Sequence, residues 1–237
     1  MKSNSLLFGI AGIQEFEKNS ITTEIIKKLR EDNINSVLIK TDNYYKKEFN
    51  DTNFKLASSI NMDSLYNDLC KLKNNKSIKR KINTFLGEED SEAELIIFSQ
   101  QVIILEGEFL LADARIRKLL STTFFVNTSF DRAITRKDKL EIEKKQDINK
   151  SLNFYESRTR STSCTNILNL KSNANFILLN ESTAQKEKSI NTVYQIIKNK
   201  LKFSTQNKPR TCFSLLFKVE NFKKTKKTDN KSLIKSI

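Results

Sequence analysis

The chain has 237 residues, a formal net charge of +14, three cysteines and no histidine. Without histidine, a Ser-His-Asp triad, a Cys-His protease and a histidine-ligated zinc site are all excluded. The cysteines are too far apart for a zinc site or an evident disulfide framework, which favours a reducing, cytoplasmic compartment. No apolar run approaches the roughly 20 residues of a membrane span, so we expect no membrane partner.

Short apolar runs alternate with helical patterns along most of the chain. We predict strands over residues 5–10, 36–40, 101–105, 122–126 and 174–179, and helices over residues 20–32, 62–72, 116–120 and 187–201. This alternation is typical of βαβ units, in which helices cover both faces of a parallel sheet. The sequence therefore predicts an α/β fold, a three-layer sandwich around a five-stranded, mostly parallel sheet. In such sheets the ligand site lies beyond the carboxyl ends of the strands.

The C-terminal part has a different composition. A charged helical stretch is expected over residues 130–160, and residues 211–219 have the pattern of a further strand. Residues 218–237 contain seven lysines against one glutamate and one aspartate, which is typical of a mobile basic tail.

The first predicted strand leads into residues 9–12 (Gly-Ile-Ala-Gly), and Lys18 follows Gly12 by six residues. A phosphate-binding loop has the pattern G-x-x-x-x-G-K-[ST] between a strand and a helix. Gly12 and Lys18 match this pattern, whereas Glu17 replaces the second glycine and Asn19 replaces the hydroxyl residue. Taken alone, the match also fits an ordinary loop before a helix.

Carboxylates follow the next two predicted strands. Residues 42–46 read Asp-Asn-Tyr-Tyr-Lys, and Glu106-Gly107 ends the third strand. An acid at such a position can act as a base or reach a magnesium ion. The alternative in both cases is an ordinary surface turn.

Together the three motifs resemble the uridine/cytidine kinase branch of the uridine kinase–phosphoribulokinase family. That family typically reads G-I-A-G-G-S-G-S-G-K-T-T, then D-S-Y-Y-K, then V-I-L-E-G; residues 103–107 of this chain read Ile-Ile-Leu-Glu-Gly. Residues 125–128, followed by Arg132 and Arg136, are similar to the family's F-V-D-T stretch and arginine-rich lid. The resemblance covers about residues 5–180 and implies a P-loop NTPase-like domain over 1–180. A helical extension packed on it (181–217) and the basic tail (218–237) would follow.

The resemblance implies a Mg²⁺-dependent transfer of the γ-phosphoryl group of ATP or GTP to the 5′-hydroxyl of uridine or cytidine, a pyrimidine salvage reaction. Phosphoryl transfer consists mostly of positioning and charge neutralisation, so it needs no histidine. The implied roles are nucleotide binding by Gly12, Lys18, Asn19, Arg132 and Arg136, catalysis by Asp42 and Lys18, substrate binding by Asp42, Tyr45 and Asn61, and metal binding by Glu106 and Asp42.

Several residues depart from the family pattern at these positions. Ile13, Glu15 and Glu17 stand where the family has glycine, and non-glycine residues in such conformations cost about 1–3 kcal/mol each. Asn61 replaces an acid expected to hold the ribose. Residues 82–85 (Ile-Asn-Thr-Phe) lack the family's tyrosine, and the family's pocket histidine has no counterpart.

Three functions remain open at this point. The first is a divergent, active nucleoside kinase that binds nucleoside and nucleotide. The second is a catalytically inactive pseudokinase that serves as an interaction or regulatory module. The third and least favoured is a nucleic-acid-binding protein, which rests only on the net charge and the lysine tail. Homo-oligomerisation is left open.

Overall fold

The computed structural model describes residues 5–12, 15–46, 57–81, 94–129, 132, 135–136 and 162–206. The chain divides into two compact units, Met1–Asn199 and Lys200–Ile237. Of the second unit the structure describes residues 200–206, which are helical. Most of the charged stretch at 130–160, the predicted strand at 211–219 and the basic tail lie outside the described residues and stay predictions.

The described strands form one large sheet and one hairpin. In chain order they are β1 (Leu6–Gly12), β2 (Ser36–Lys40), β3 (Ile78–Lys81), β4 (Glu94–Ile97), β5 (Val102–Glu106), β6 (Thr122–Asn127) and β7 (Phe176–Leu179). Five of them form a sheet of order β2-β5-β1-β6-β7 in which each pairing is parallel. This sheet confirms the predicted fold class. The antiparallel hairpin of β3 and β4 was not predicted.

The described α-helices are α1 (Glu15–Glu31), α2 (Met62–Lys73), α3 (Ala114–Leu119), α4 (Thr162–Asn169) and α5 (Thr183–Gln206). Helix α1 begins earlier than the predicted residue 20. The prediction followed the apolar stripe that starts at Ile21, and the preceding turn is mostly polar. None of the helices in the described ranges has the length and apolar character needed to cross a membrane.

The core lies on both faces of the sheet. On one face, Leu7 of β1 and Ile103 of β5 belong to a buried cluster that also contains Leu65, Leu69 and Leu72 of α2. Side chains alternate between the two faces along a strand, so the buried Phe8 and Ile10 of β1 point to the opposite face. Helix α1 packs against β1, β2 and β5. Burial on both faces explains the continuous apolar runs in the sequence.

The parallel register brings three strand ends to one edge of the sheet. Glu106 at the end of β5 lies opposite Ile10 of β1 on one side and opposite Lys40 of β2 on the other. Gly12 at the end of β1 lies opposite Val126 of β6. The motifs singled out in the sequence therefore meet at a single place.

Candidate functional site

The end of β1 packs closely against β6. Strand β1 ends at Gly12 and α1 begins at Glu15. A Cβ atom on Gly12 would lie 2.9 Å from the carbonyl oxygen of Val126 and 3.2 Å from its Cβ, so the close approach to β6 requires glycine. Helix α1 begins at Glu15, so Glu15 and Glu17 belong to its first turn.

Lys18 lies inside the protein rather than in solvent. Its residue surface is 1% exposed, and its Nζ atom donates a hydrogen bond of 2.9 Å to the carbonyl oxygen of Gly12. The same Nζ atom lies 3.8 Å from Oε1 of Glu108, which follows β5. A buried ammonium group requires such partners. The phosphate-binding lysine expected from the sequence is therefore held by the chain's own groups.

Glu106 is the buried acid of the site. It is 3% exposed, and its Oε2 atom has no hydrogen-bond partner among the described residues. Burial raises the pKa of this carboxyl group, and the Thr22 side chain and the ammonium groups of Lys18 and Lys40 partly oppose the shift. A buried carboxylate oxygen with no protein partner has the chemistry of a metal ligand.

The raised pKa of Glu106 leads to a prediction about stability. Between the ordinary pKa of 4.5 and the raised value, the folded protein binds more protons than the unfolded chain, so stability falls as the pH rises through that window. We expect Glu106→Gln to remove this fall and to increase the free energy of unfolding near neutral pH by about 1 kcal/mol. Urea denaturation of both proteins across pH 4 to 8 measures it.

The matched control for this prediction is Glu24→Gln, which changes a partly exposed glutamate of α1. It should keep the wild-type dependence of stability on pH. An equal pH dependence in wild type and Glu106→Gln would contradict the assignment of a destabilising buried charge.

Asp42 lies in a 3-10 turn, Thr41–Tyr44, which directly follows β2. It is half-buried, and its Oδ1 atom accepts a hydrogen bond of 3.4 Å from the Thr41 hydroxyl. The negative charge of Asp42 adds to the rise in the pKa of Glu106, so the two acids lie within electrostatic reach. The structure thus places Lys18 and Asp42 within electrostatic reach of Glu106, and the roles expected for these residues stay predictions.

Tyr44 is fixed by a cluster that the sequence analysis missed. Its hydroxyl donates to Oδ2 of Asp68 on α2 at 3.3 Å, and the Arg80 guanidinium lies 4.0 Å from the centre of its ring. Arg80 also donates from Nε to the same carboxylate oxygen at 2.6 Å. Burial, together with the charge of Asp68, raises the pKa of the Tyr44 hydroxyl. The cluster connects the Asp42 turn to α2 and to the hairpin strand β3.

The cluster predicts that Asp68→Ala destabilises the fold. Asp68 is buried, and its removal leaves the Tyr44 hydroxyl and the Arg80 guanidinium without their shared acceptor. Breaking a buried charged pair costs about 3–5 kcal/mol; because Arg80 is partly exposed, we expect about 2–4 kcal/mol. Chemical denaturation measures the loss.

Asp63→Ala is the control, because Asp63 lies on the same helix and pairs with Arg115 on the surface. An exposed pair contributes less than about 1 kcal/mol. If Asp68→Ala cost no more than Asp63→Ala, the cluster would not hold the turn.

The residues expected at the nucleoside have other contacts here. Asn61 is exposed and caps α2, since its Oδ1 atom accepts a hydrogen bond of 2.9 Å from the Ser64 amide. Tyr45 is half-buried against the core cluster and forms an isolated bridge with Ile60. Asn61, which replaces the expected acid, therefore acts as the N-cap of α2.

The two arginines of the expected lid differ in environment. Arg136 is half-buried and donates from Nη1 to the carbonyl oxygen of Asn180 at 2.8 Å, whereas Arg132 is exposed. Asn180 is itself buried and donates from Nδ2 to Thr128 at 3.0 Å. Most of the remaining lid sequence lies outside the described residues.

The site suits the Mg²⁺ ion implied by the sequence better than it suits the phosphates of the implied nucleotide. Within the described ranges, no three acidic or cysteine side chains converge as a metal site. Mg²⁺, however, is commonly held by one or two carboxylates together with substrate phosphates and water, and the unpartnered oxygen of Glu106 suits that arrangement. The phosphate side fits less well, because Lys18 is already paired with the Gly12 carbonyl oxygen and the Glu108 carboxylate.

The fold and the strand-end residues define a P-loop kinase-type α/β protein. The central strand of its parallel sheet leads into a glycine and a lysine, and the neighbouring strand ends in an acid. The profile of the Phosphoribulokinase / Uridine kinase family matches residues 10–147. The chain therefore belongs to this family.

Relatives of known name agree with this assignment. A uridine kinase from Borrelia hermsii is 28% identical over 162 residues, covering 65% of this chain and 77% of the relative. A uridine kinase from Halalkalibacterium halodurans is 31% identical over 144 residues, covering 58% and 67%. Among solved structures, a protein assigned as a fructose transport system kinase in Silicibacter sp. TM1040 matches with a TM-score of 0.54 at 10% identity. The match covers 74% of this chain and 90% of the solved chain, and it shows similarity of fold alone.

Proposed function

We propose that this chain is a pseudokinase of the uridine kinase family, which keeps the kinase fold as an interaction or regulatory module and does not transfer phosphate. The observation that carries the proposal is the state of Lys18. Its ammonium group is buried and is held by the Gly12 carbonyl oxygen and the Glu108 carboxylate. A phosphate would have to displace Glu108 to reach this ammonium group.

The start of α1 supports the same proposal. A P-loop holds phosphates with the backbone amides of a glycine-rich loop. Here only residues 13 and 14 separate β1 from α1, and Glu15 and Glu17 stand in the sequence where the family has glycine. A carboxylate about 4 Å from a phosphate charge costs roughly 4 kcal/mol at an effective dielectric constant of 20. The nucleotide affinity would fall by more than about a hundredfold.

A second candidate is an active nucleoside kinase, and Glu106 favours it. Its buried, unpartnered oxygen is poised for Mg²⁺, which when bound would neutralise charge on ATP or GTP. In this reading Asp42 would accept the proton of the 5′-hydroxyl of uridine or cytidine as the hydroxyl oxygen bonds to the γ-phosphorus. The bond from that phosphorus to the β–γ bridging oxygen would break, and ADP or GDP would leave. Lys18, Arg132 and Arg136 would stabilise the charge on the transferred group.

Thermal unfolding with Mg-ATP, with and without uridine or cytidine, separates the two candidates when combined with an assay for 5′-monophosphate. The pseudokinase proposal predicts no increase in melting temperature at physiological nucleotide concentration and no product. A clear shift together with formation of uridine or cytidine monophosphate would favour the kinase and overturn the proposal.

A further inference from the structure

Glu108 lies two residues beyond the end of β5, on the side of the site that faces Lys18. Its Oε1 atom is 3.8 Å from the Lys18 Nζ atom. The side chain of Glu108 is 18% exposed, against 2% for that of Lys18. The glutamate therefore reaches from the surface toward a cation that cannot itself reach solvent.

The contacts of Lys18 leave capacity for another anion. An ammonium group has three donors, and one of them is used by the Gly12 carbonyl oxygen at 2.9 Å. The separation from Glu108 is that of an ion pair and exceeds a normal hydrogen bond. The Glu108 side chain keeps partial access to solvent, with 18% of its surface exposed. The pairing is therefore one that a stronger anion can displace.

We infer that Glu108 is an intramolecular competitor for phosphate, which occupies the charge of Lys18 and lowers the affinity of this site for a phosphate-bearing ligand. This inference rests on the proposed function and deepens it, since it assigns part of the proposed loss of nucleotide binding to a residue outside the segment between β1 and Lys18. The ligand class is a polyphosphate or the triphosphate group of a nucleotide.

The charges around the site support this role. Lys18 and Lys40 act on Glu106 as cations and Asp42 acts on it as an anion. With Glu108 added, the acidic groups outnumber the basic ones among these described residues. Removing Glu108 changes the balance among these five residues by one unit.

The test is the binding of inorganic tripolyphosphate and of Mg-ATP to the full chain, measured by titration calorimetry at fixed salt. Glu108→Gln keeps the size of the side chain and removes its charge. We expect it to bind both ligands at least about tenfold more tightly than wild type. Unchanged or weaker binding would overturn the inference.

Glu31→Gln is the matched control, because it removes the same charge from the far end of α1, about 20 Å from Lys18 along the helix. It should leave both affinities at the wild-type value; an equal gain would point to net charge alone and overturn the inference. The gain from Glu108→Gln should also vanish in a Lys18→Met background. If it persisted there, Glu108 would not act through Lys18.

Glu108→Ala provides a second variant if Glu108→Gln folds poorly, and it should show the same gain. Turnover is assayed in parallel, because the outcomes separate this inference from the proposed function. Tighter tripolyphosphate binding without 5′-monophosphate supports both. Efficient turnover by wild type would refute the pseudokinase proposal. The ratio of the affinities of Glu108→Gln and wild type for tripolyphosphate would still decide the role of Glu108.

Discussion

Replacing Glu15 and Glu17 with glycine and Asn19 with threonine is expected to increase the affinity for Mg-ATP by at least about a hundredfold. Each carboxylate removed relieves several kcal/mol of repulsion if it lies about 4 Å from a phosphate, and each 1.4 kcal/mol is about a factor of ten in affinity. Glycine also permits the backbone conformations that a phosphate loop needs. The threonine restores the hydroxyl ligand for magnesium. Titration calorimetry with Mg-ATP measures the gain.

Two controls define this experiment. Glu24→Gln with Glu31→Gln removes two charges further along α1 and should leave the affinity unchanged. The triple variant in a Lys18→Met background should show no gain, since the phosphates then lack their cation. Each glycine costs up to about 1 kcal/mol in a helix, so circular dichroism checks that α1 is intact. A folded triple variant with wild-type affinity would contradict the assignment of the defect to residues 15, 17 and 19.

Gly107→Ala is expected to destabilise the fold by more than about 3 kcal/mol, at or beyond the usual range for overpacking. A Cβ atom there would lie 1.9 Å from Oγ1 and 2.6 Å from Cβ of Thr41. Thr41 is buried and begins the turn that carries Asp42, so the turn itself must move. The free energy of unfolding in urea measures the effect.

Gly9→Ala is the matched control for this substitution. Its added Cβ atom would meet the side-chain ends of Leu120 at 2.8 Å and Leu110 at 3.0 Å, which can rotate away, so the cost should stay below about 2 kcal/mol. Thr41→Gly in the Gly107→Ala background should recover part of the loss. If Gly9→Ala and Gly107→Ala lowered the free energy of unfolding equally, the close packing of Gly107 against Thr41 would not be the cause of the loss.

The sheet was predictable because its strands are buried on both faces. Strands of this kind appear in the sequence as short, continuous apolar runs, and β5 is buried along its whole length. Once the strands were placed, parallel topology required Gly12, Asp42 and Glu106 to lie at one edge. That inference needed no tertiary detail, and the structure confirms that the strand ends meet.

The hairpin and the charged partners were not predictable in this way. Strand β3 reads Ile-Lys-Arg-Lys and has one apolar residue, Ile78, so no alternating pattern marks it. The partners of Lys18 and Asp68 depend on tertiary contacts, because Glu108 and Arg80 are distant from them in sequence. A glutamate two residues after a predicted strand end was visible in the sequence, but nothing there linked it to the lysine.

The most direct test of the central claim compares nucleotide-dependent formation of uridine or cytidine 5′-monophosphate by wild type and by Lys18→Met. Both proteins are incubated with Mg-ATP or Mg-GTP and either nucleoside. Since the Lys18 charge is compensated by Gly12 and Glu108, we predict that wild type forms no more product than the variant. Monophosphate formation that depends on Lys18 would contradict the pseudokinase account.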